Sequence, residues 1–399
     1  MKEKITEQVV DFSNTEIAFS GTTNGELIRI NWLFNIMNKP AFTNIGAKLG
    51  LLAFKMHLPV APFVRHNIFA HFCSGRSLEE SLPRIEKIWK RNVLSILDYG
   101  AEAKGRESDL DETMEENLAA IHFGAENESV AVISTKISGL ASNELLQKVQ
   151  DGKTLTGSEL EAYNRLEERL DIICRTAHQK QVCVFIDAEE SWIQETIDKL
   201  ASQMMERYNR DEKVIVYNTF QMYRHDKLAF LKKSHEEAQS KGYRLGAKLV
   251  RGAYLEKENN RAKKMGYPTP MQPNKAATDT DYNASLNYCI EHYEEIAFCN
   301  ASHNEESARY MVELIVEKGL PKDHPHLNFC QLLGMSDHLS FNLAEAGFCV
   351  AKYMPYGPVR DVIPYLIRRA QENTAVTGDM SRELGFIRTE MRRRGLLKR

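Results

Sequence analysis

Apolar and polar positions along the chain fall into two alternating textures from about residue 90 onward. Short, nearly continuous apolar runs occupy 93–100, 130–136, 182–187, 214–221, 248–254, 296–303, 327–334 and 349–353. Rich in Val, Ile, Phe and Cys, they are too short for helices and lack the strict alternation of a half-buried strand. They predict strands covered on both faces. Charged stretches with apolar residues three and four apart lie between them and predict helices, around 193–205, to 241, 284–293, 305–318 and 361–372. Eight such strand-then-helix units in about 280 residues predict a closed (β/α)₈ TIM-like barrel of class α/β. An open doubly wound sheet is the rival. No Gly-x-Gly occurs, so the dinucleotide fingerprint of that rival is missing. Gly152-Lys153-Thr154 ends like a phosphate-binding loop, but Gln147 stands where its first glycine is required.

Before the barrel, residues 1–90 read as a helical region. Residues 27–34 suit an amphipathic helix, and Ser77 is placed to cap one running from Leu78 to Arg91. After it, 379–399 read as a basic, solvated tail carrying Arg392-Arg393-Arg394. The barrel itself is expected over 91–378. The run 45–72 is the most apolar of the N-terminal part, but Lys48, Lys55, His57, Pro59, Pro62 and Arg65 break it below spanning length. Buried helices are its expected form, and a seat on a membrane or partner surface is the alternative.

With 43% hydrophobic residues and a formal net charge of −3, the 399-residue chain can bury a large core and shows no basic excess for nucleic acid. The seven cysteines, 73, 174, 183, 289, 299, 330 and 349, have no Cys-x-x-Cys spacing and read as small buried residues of a reducing compartment. Residues 1–11 mix acids and bases and resemble neither a signal nor a transit peptide. A cytoplasmic location follows as the expectation, with a peripheral seat on the inner face of the cytoplasmic membrane as its variant.

The chemistry is expected where the strands end, since the C-terminal ends of barrel strands face the active site. Lys136, Asp187, Gln221, Lys248, Arg251, Tyr254, His303, Gln331 and Tyr353 are the candidates. They form a cationic, hydrogen-bonding set with one embedded acid, suited to an anionic substrate or cofactor. His303 has no second ligand at metal-site spacing, so no metal is expected. Gly252 lets a ligand approach the backbone. Arg368 and Arg369 form a pair able to grip a carboxylate or phosphate, with Glu372 within one helical turn of both. An ordinary ion-paired surface helix is the plainer account of those three.

Several segments together resemble the proline dehydrogenase family. They are 134–140 (STKISGL), 185–190 (FIDAEE), 248–254 (KLVRGAY), 331–335 (QLLGM), 353–359 (YMPYGPV) and 365–373 (YLIRRAQEN), spread over about 90–375 in this order. The resemblance implies a distorted (β/α)₈ barrel holding FAD. It implies oxidation of L-proline to Δ1-pyrroline-5-carboxylate, hydride passing from proline C5 to flavin N5 and electrons leaving to a membrane quinone. By the same resemblance Asp187 and Lys248 are catalytic. Lys136, Tyr254, Tyr353, Arg368, Arg369 and Glu372 bind substrate. Ala188, Gln221, Lys248, Arg251, Gly252, Ala253, Ser302 and His303 contact the cofactor. Many bacterial bifunctional members have Arg at the position of Lys248 and Trp at that of Leu255, so the pattern resembles the animal-type branch. Nothing matches the aldehyde dehydrogenase domain or DNA-binding arm of the largest members, and a monofunctional enzyme is expected. Hydroxyproline dehydrogenase is the near alternative, where Tyr353 would crowd a ring hydroxyl. A non-catalytic barrel binding an anionic metabolite, or an oxidoreductase using FMN, are the more distant ones.

Overall fold

The computed structural model describes residues 9–37, 65–100, 106–375 and 379–397. Eight strands run in chain order: β1 Leu94–Tyr99, β2 Val130–Thr135, β3 Cys183–Ile186, β4 Val216–Gln221, β5 Leu245–Val250, β6 Ile296–Ala301, β7 Leu327–Leu332 and β8 Cys349–Tyr356. They close in that order into a barrel, β1 beside β2 and so on round, with parallel pairing through β2–β6. Each expected strand is present. Their apolar runs are buried on both faces, as in β4, where all six residues are covered. The ends shift for local reasons. Residues 214–215 precede β4 rather than open it, because Asn209 Oδ1 accepts from the amides of Ile215 and Val216 at 3.0 and 2.9 Å. Strand β5 begins three residues before Lys248, so Lys248 lies inside the strand, and only Arg251–Tyr254 form its exit.

The helices follow the capping chemistry in the sequence. Ser77 caps Leu78–Trp89, accepting from the Glu80 amide at 3.3 Å. That helix stops short of Arg91 because Asn92 adopts φ +56°, a left-handed turn that ends it. Thr156 and Glu159 form a capping box on the longest helix, Gly157–Lys180. Its buried stripe, Leu166, Leu170, Ile173, Cys174 and Ala177, keeps the three-and-four spacing of a helix lying on a sheet.

Contacts divide the chain into two compact units. One comprises Ile96–Ser302 with Glu306–Phe329; the other comprises Met1–Ser95, His303–Glu305 and Cys330–Arg399. In the second unit, Phe34, Leu27, Phe72, Val362, Leu384 and Ile387 belong to one apolar cluster. Its helices include Asn24–Met37, Ile363–Ala375 and Asp379–Arg393.

The last of these corrects an expectation: most of the basic tail is a packed helix, not a solvated one. Leu384, Ile387 and Met391 bury one face. Arg393 and Arg394 pair with the fully buried Glu390 at 2.8 and 2.6 Å, and Arg394 also donates to the carbonyls of Phe19 and Thr22. Of the run 45–72, positions 45–64 lie outside the described residues; beyond them Phe69 and Phe72 are buried in the cluster. No described helix is long and apolar enough to cross a membrane.

Strand β5 shows how tightly the barrel wall is built. A Cβ on Gly246 would sit 2.2 Å from Val216 O and 2.9 Å from Tyr217 Cα, both backbone atoms that cannot swing aside. Gly246→Ala is therefore expected to lose about 3 kcal/mol or more of stability, or to fail to fold. Gly385→Ala, on the exposed side of the last helix with nothing within 4 Å, should gain up to about 1 kcal/mol. Urea unfolding of the two variants beside the parent checks both signs.

Candidate active site

Candidate site residues occur in both units, and each set stands by itself. In the larger unit, β3 ends at Ile186 and delivers Asp187, whose amide donates to the Thr135 carbonyl of β2 at 2.9 Å. The carboxylate is buried and shared. Lys248 Nζ lies 2.6 Å from Oδ1, Lys136 Nζ 3.1 Å from Oδ2, and Ser134 Oγ donates to Oδ1 at 2.7 Å. Lys136 also reaches Asp98 Oδ1 of β1 at 2.9 Å. Two ammonium groups and two carboxylates thus sit together, each nine-tenths covered or nearly so. Burying these charges is tolerable only because they pair and hydrogen-bond.

Two residues on, Glu189 is held quite differently. It is buried, and Oε1 accepts from the Ser138 amide at 2.9 Å. Burial drives its pKa up to about 7; the Ser138 hydrogen bond and Lys136 pull the other way without offsetting it. The Gln221 side chain donates Nε2 to the Glu189 carbonyl at 2.7 Å, leaving Oε1 buried with no hydrogen-bond partner.

Beyond β5, the Arg251 guanidinium is fixed by three side chains, Asp279 at 2.8 Å, Ser302 at 2.6 Å and Ser307 at 2.9 Å, over the Tyr282 ring. Gly252 has φ +134°, and a Cβ there would fall 2.4 Å from the Tyr223 ring. The chain itself, through Tyr223, requires this glycine. Gly252 and Ala253 are exposed, while Ala188 and Tyr254 are half-buried.

In the smaller unit, Tyr353 is buried on β8, and Arg369 is buried on the helix Ile363–Ala375 with its guanidinium 5.2 Å from the Tyr365 ring centroid. Arg368 beside it is half-buried. Glu372 follows on the same helix, but its side chain lies outside the described residues. His303 Nδ1 meets Ser336 Oγ at 2.9 Å. Gln331 accepts from Ser340 at 2.8 Å through Oε1.

A family model, proline dehydrogenase, matches residues 81–382, three quarters of the chain. The chain belongs to the proline dehydrogenase family. It is 31% identical over 401 residues to a mitochondrial proline dehydrogenase 1 of Dictyostelium discoideum, covering 90% of this chain and 69% of that protein. It spans only 36% of the Drosophila melanogaster protein of the same name. A hydroxyproline dehydrogenase of Xenopus laevis is 30% identical over 367 residues, with 83% and 78% covered. Among solved structures, proline utilization A from Bdellovibrio bacteriovorus, inactivated by N-propargylglycine, superposes with a TM-score of 0.71 at 20% identity, over 92% of this chain and 40% of that one. That likeness is one of fold.

Within this proline dehydrogenase barrel, sequence reasoning named Lys136, Asp187 and Lys248 but not the partners Asp98 and Ser134. Both were visible inside the runs read as strands, Asp98 just before the end of its own. No pairing could be read without the register that joins β1, β2 and β3. Glu189, three residues past the end of β3, is also buried, which nothing in its local sequence signals. Among the described residues one group has metal-ligating types together: His235, His292 and Glu295. His235 Nε2 lies 2.7 Å from Glu295 and its Nδ1 2.9 Å from Tyr288 OH, hydrogen bonds that account for this placement.

Glu189 gives a signed pH prediction. Its folded pKa, about 7, lies above the unfolded value near 4.5, so the folded state holds the proton longer. Stability is then lost as pH rises between these values and the full cost is present above about 7. Glu189→Gln, which keeps an acceptor for the Ser138 amide, should match the parent's pH dependence below 4.5 and out-stabilise it increasingly toward pH 7, by up to about 3 kcal/mol. A stability difference flat from pH 4 to 8 in thermal unfolding would show that Glu189 does not titrate there.

Proposed function

We propose that this chain oxidises L-proline to Δ1-pyrroline-5-carboxylate using FAD and passes the electrons to a membrane quinone. The observation that carries the reading is the buried Lys136–Asp187–Lys248 assembly, toward the C-terminal ends of β2, β3 and β5 in a barrel of this family. A flavin fits the residues present. The buried, unpartnered Gln221 Oε1 calls for an N–H donor, which a flavin ring offers. Gly252 and Ala253 leave exposed backbone beside the anchored Arg251.

Gln221, Ala188, Arg251, Gly252, Ala253, Ser302 and His303 would hold that cofactor. When bound, the flavin supplies the two-electron acceptor. The protein's own part is binding and electrostatics. Arg368 and Arg369 take the substrate carboxylate, a handle remote from the carbon that reacts, so orientation comes from binding energy spent elsewhere on the molecule. Glu372 orients the arginines and Lys136 adds a cation. Tyr254 and Tyr353 line the ring. Asp187 clamps the heads of Lys136 and Lys248 in one geometry, and cations already fixed in place need no reorganisation when negative charge develops near them. The amine must be unprotonated to react, and a cationic surround favours its neutral form. Contact with the membrane is peripheral in this reading, at the inner face of the cytoplasmic membrane.

Two experiments test it. The visible spectrum of the purified protein, sealed from oxygen, should show flavin and bleach when L-proline is added. A flavin spectrum that only dithionite bleaches would remove proline as substrate, and no flavin after reconstitution with FAD would overturn the enzyme reading. Oxidation of trans-4-hydroxy-L-proline is the second reading, favoured by the amphibian relative; a kcat/KM for it above that for L-proline would establish it instead.

In the same assay Arg369→Met is expected to raise KM for L-proline roughly 10- to 100-fold, the loss of a charge-assisted hydrogen bond of ~1.5–3 kcal/mol. An unchanged KM would remove Arg369 from the substrate site.

A further inference from the structure

In the smaller unit, helices Asn24–Met37 and Leu78–Trp89, the exit of β7 and strand β8 line a cleft of about 60 Å³. Arg84, Lys87, Arg91 and Lys352 reach its wall, against two carboxylates, Glu26 and Asp337. The carboxylates already have partners: Lys87 lies 2.8 Å from Glu26, and Lys352 2.7 Å from Asp337. Arg91 donates to the carbonyls of Ile17 and Ala18 and stacks 3.4 Å from the Phe341 centroid. Carbonyls satisfy its N–H groups but carry no charge to cancel its own.

Arg84 is the least compensated. Its Nη2 donates to the His71 carbonyl at 3.2 Å, and no carboxylate among the described residues pairs with it. Burial lowers its pKa, and that of Arg91 to about 10, the mark of cations held without sufficient counter-charge. His71 adds no charge: burial pushes its pKa down to about 4, and its Nε2–H donates to the Gly334 carbonyl at 2.7 Å.

A half-enclosed cleft with more fixed cations than anions destabilises the fold unless an anion enters. We infer that this cleft binds a small oxyanion of the phosphate class, with Arg84 as its principal ligand. Guanidinium forks and an ammonium converging from separate elements suit a tetrahedral ion with several acceptor oxygens. The cleft shares no residue with the Asp187 assembly and does not depend on which cyclic amino acid is oxidised. Its bound ion would tie the N-terminal helices to β8, where Lys352 immediately precedes Tyr353.

Thermal unfolding of the full chain in millimolar inorganic phosphate, against sodium chloride at matched ionic strength, tests the site. The expected result is a saturable rise in Tm with phosphate alone, and calorimetry giving one site per chain. Arg84→Met should weaken phosphate binding at least tenfold. Without phosphate it should be as stable as the parent or more so, because an uncompensated charge has gone. If Arg84 were merely structural, the variant would have a lower Tm in both buffers and an unaltered phosphate increment, which would overturn the assignment. No phosphate-specific rise in the parent would overturn it as well, whether or not the variant folds. Vesicles of phosphatidylglycerol and of phosphatidylcholine separate the sources of the ion. Arg84-dependent binding to the anionic vesicles alone, competed by free phosphate, would place a lipid headgroup in the cleft; free phosphate binding without vesicle binding would place the soluble ion there.

Discussion

The carboxylate of Asp187 is the constraint on which the larger unit turns. Two lysines from different strands close on it, one at 2.6 Å and one at 3.1 Å, where little water reaches. Neither lysine could be buried alone without losing its proton or unfolding its surroundings. The arrangement therefore demands a fixed sheet register. Thr135 lies across from Ile186, and Thr219 from Lys248, so β2, β3, β4 and β5 must all be in step for the three groups to meet. A slip of one residue in β2, β3 or β5 would turn its charged group to the other face and leave a buried ion without its partner. Charge pairing and strand register enforce each other.

Arg251 repeats this logic at the next strand exit. Its three nitrogens find Asp279, Ser302 and Ser307, which come from two different helices and the end of β6. A guanidinium so tethered has surrendered its rotamer freedom at folding. The contrast with Arg84, whose single partner is a backbone carbonyl, is one of counter-charge and not of burial alone. Where the chain supplies an acid, the cation serves geometry. Where it supplies none, the cation asks for an anion from outside.

Much of the barrel was legible because its strands are doubly covered: an apolar run such as Val-Ile-Val-Tyr has few other uses between charged helices. The strand exits were legible for the converse reason, since an acid or lysine directly after such a run has nowhere to go but a mouth or a partner. Side-chain partnerships were not legible. Asp98 and Ser134 look like ordinary members of their strands until the register sets them beside Lys136 and Asp187. The C-terminal helix was misread because Arg392-Arg393-Arg394 dominates the local composition, while the face that decides its fate, Leu384, Ile387 and Met391, is spaced more thinly. Gly252 carries a second requirement that the sequence does not show: a side chain there would meet the Tyr223 ring.

Asp187 and Glu189 show how finely position sets chemistry at this exit. They are the same functional group two residues apart, and both are buried. Asp187 meets two ammonium groups and a hydroxyl; Glu189 meets an amide hydrogen and lies next to another acid, Glu190. The two lysines are already balanced by Asp98 and Asp187, so a charge on Glu189 would be in excess, and burial makes that excess expensive. Burial is the main cause of its rise to about 7, and the neighbouring Glu190 adds to it. An exit with one carboxylate clamped between cations and another poised near neutrality is electrically balanced while Glu189 holds its proton and gains a negative charge above neutrality. That limit is set by the fold and not by the substrate.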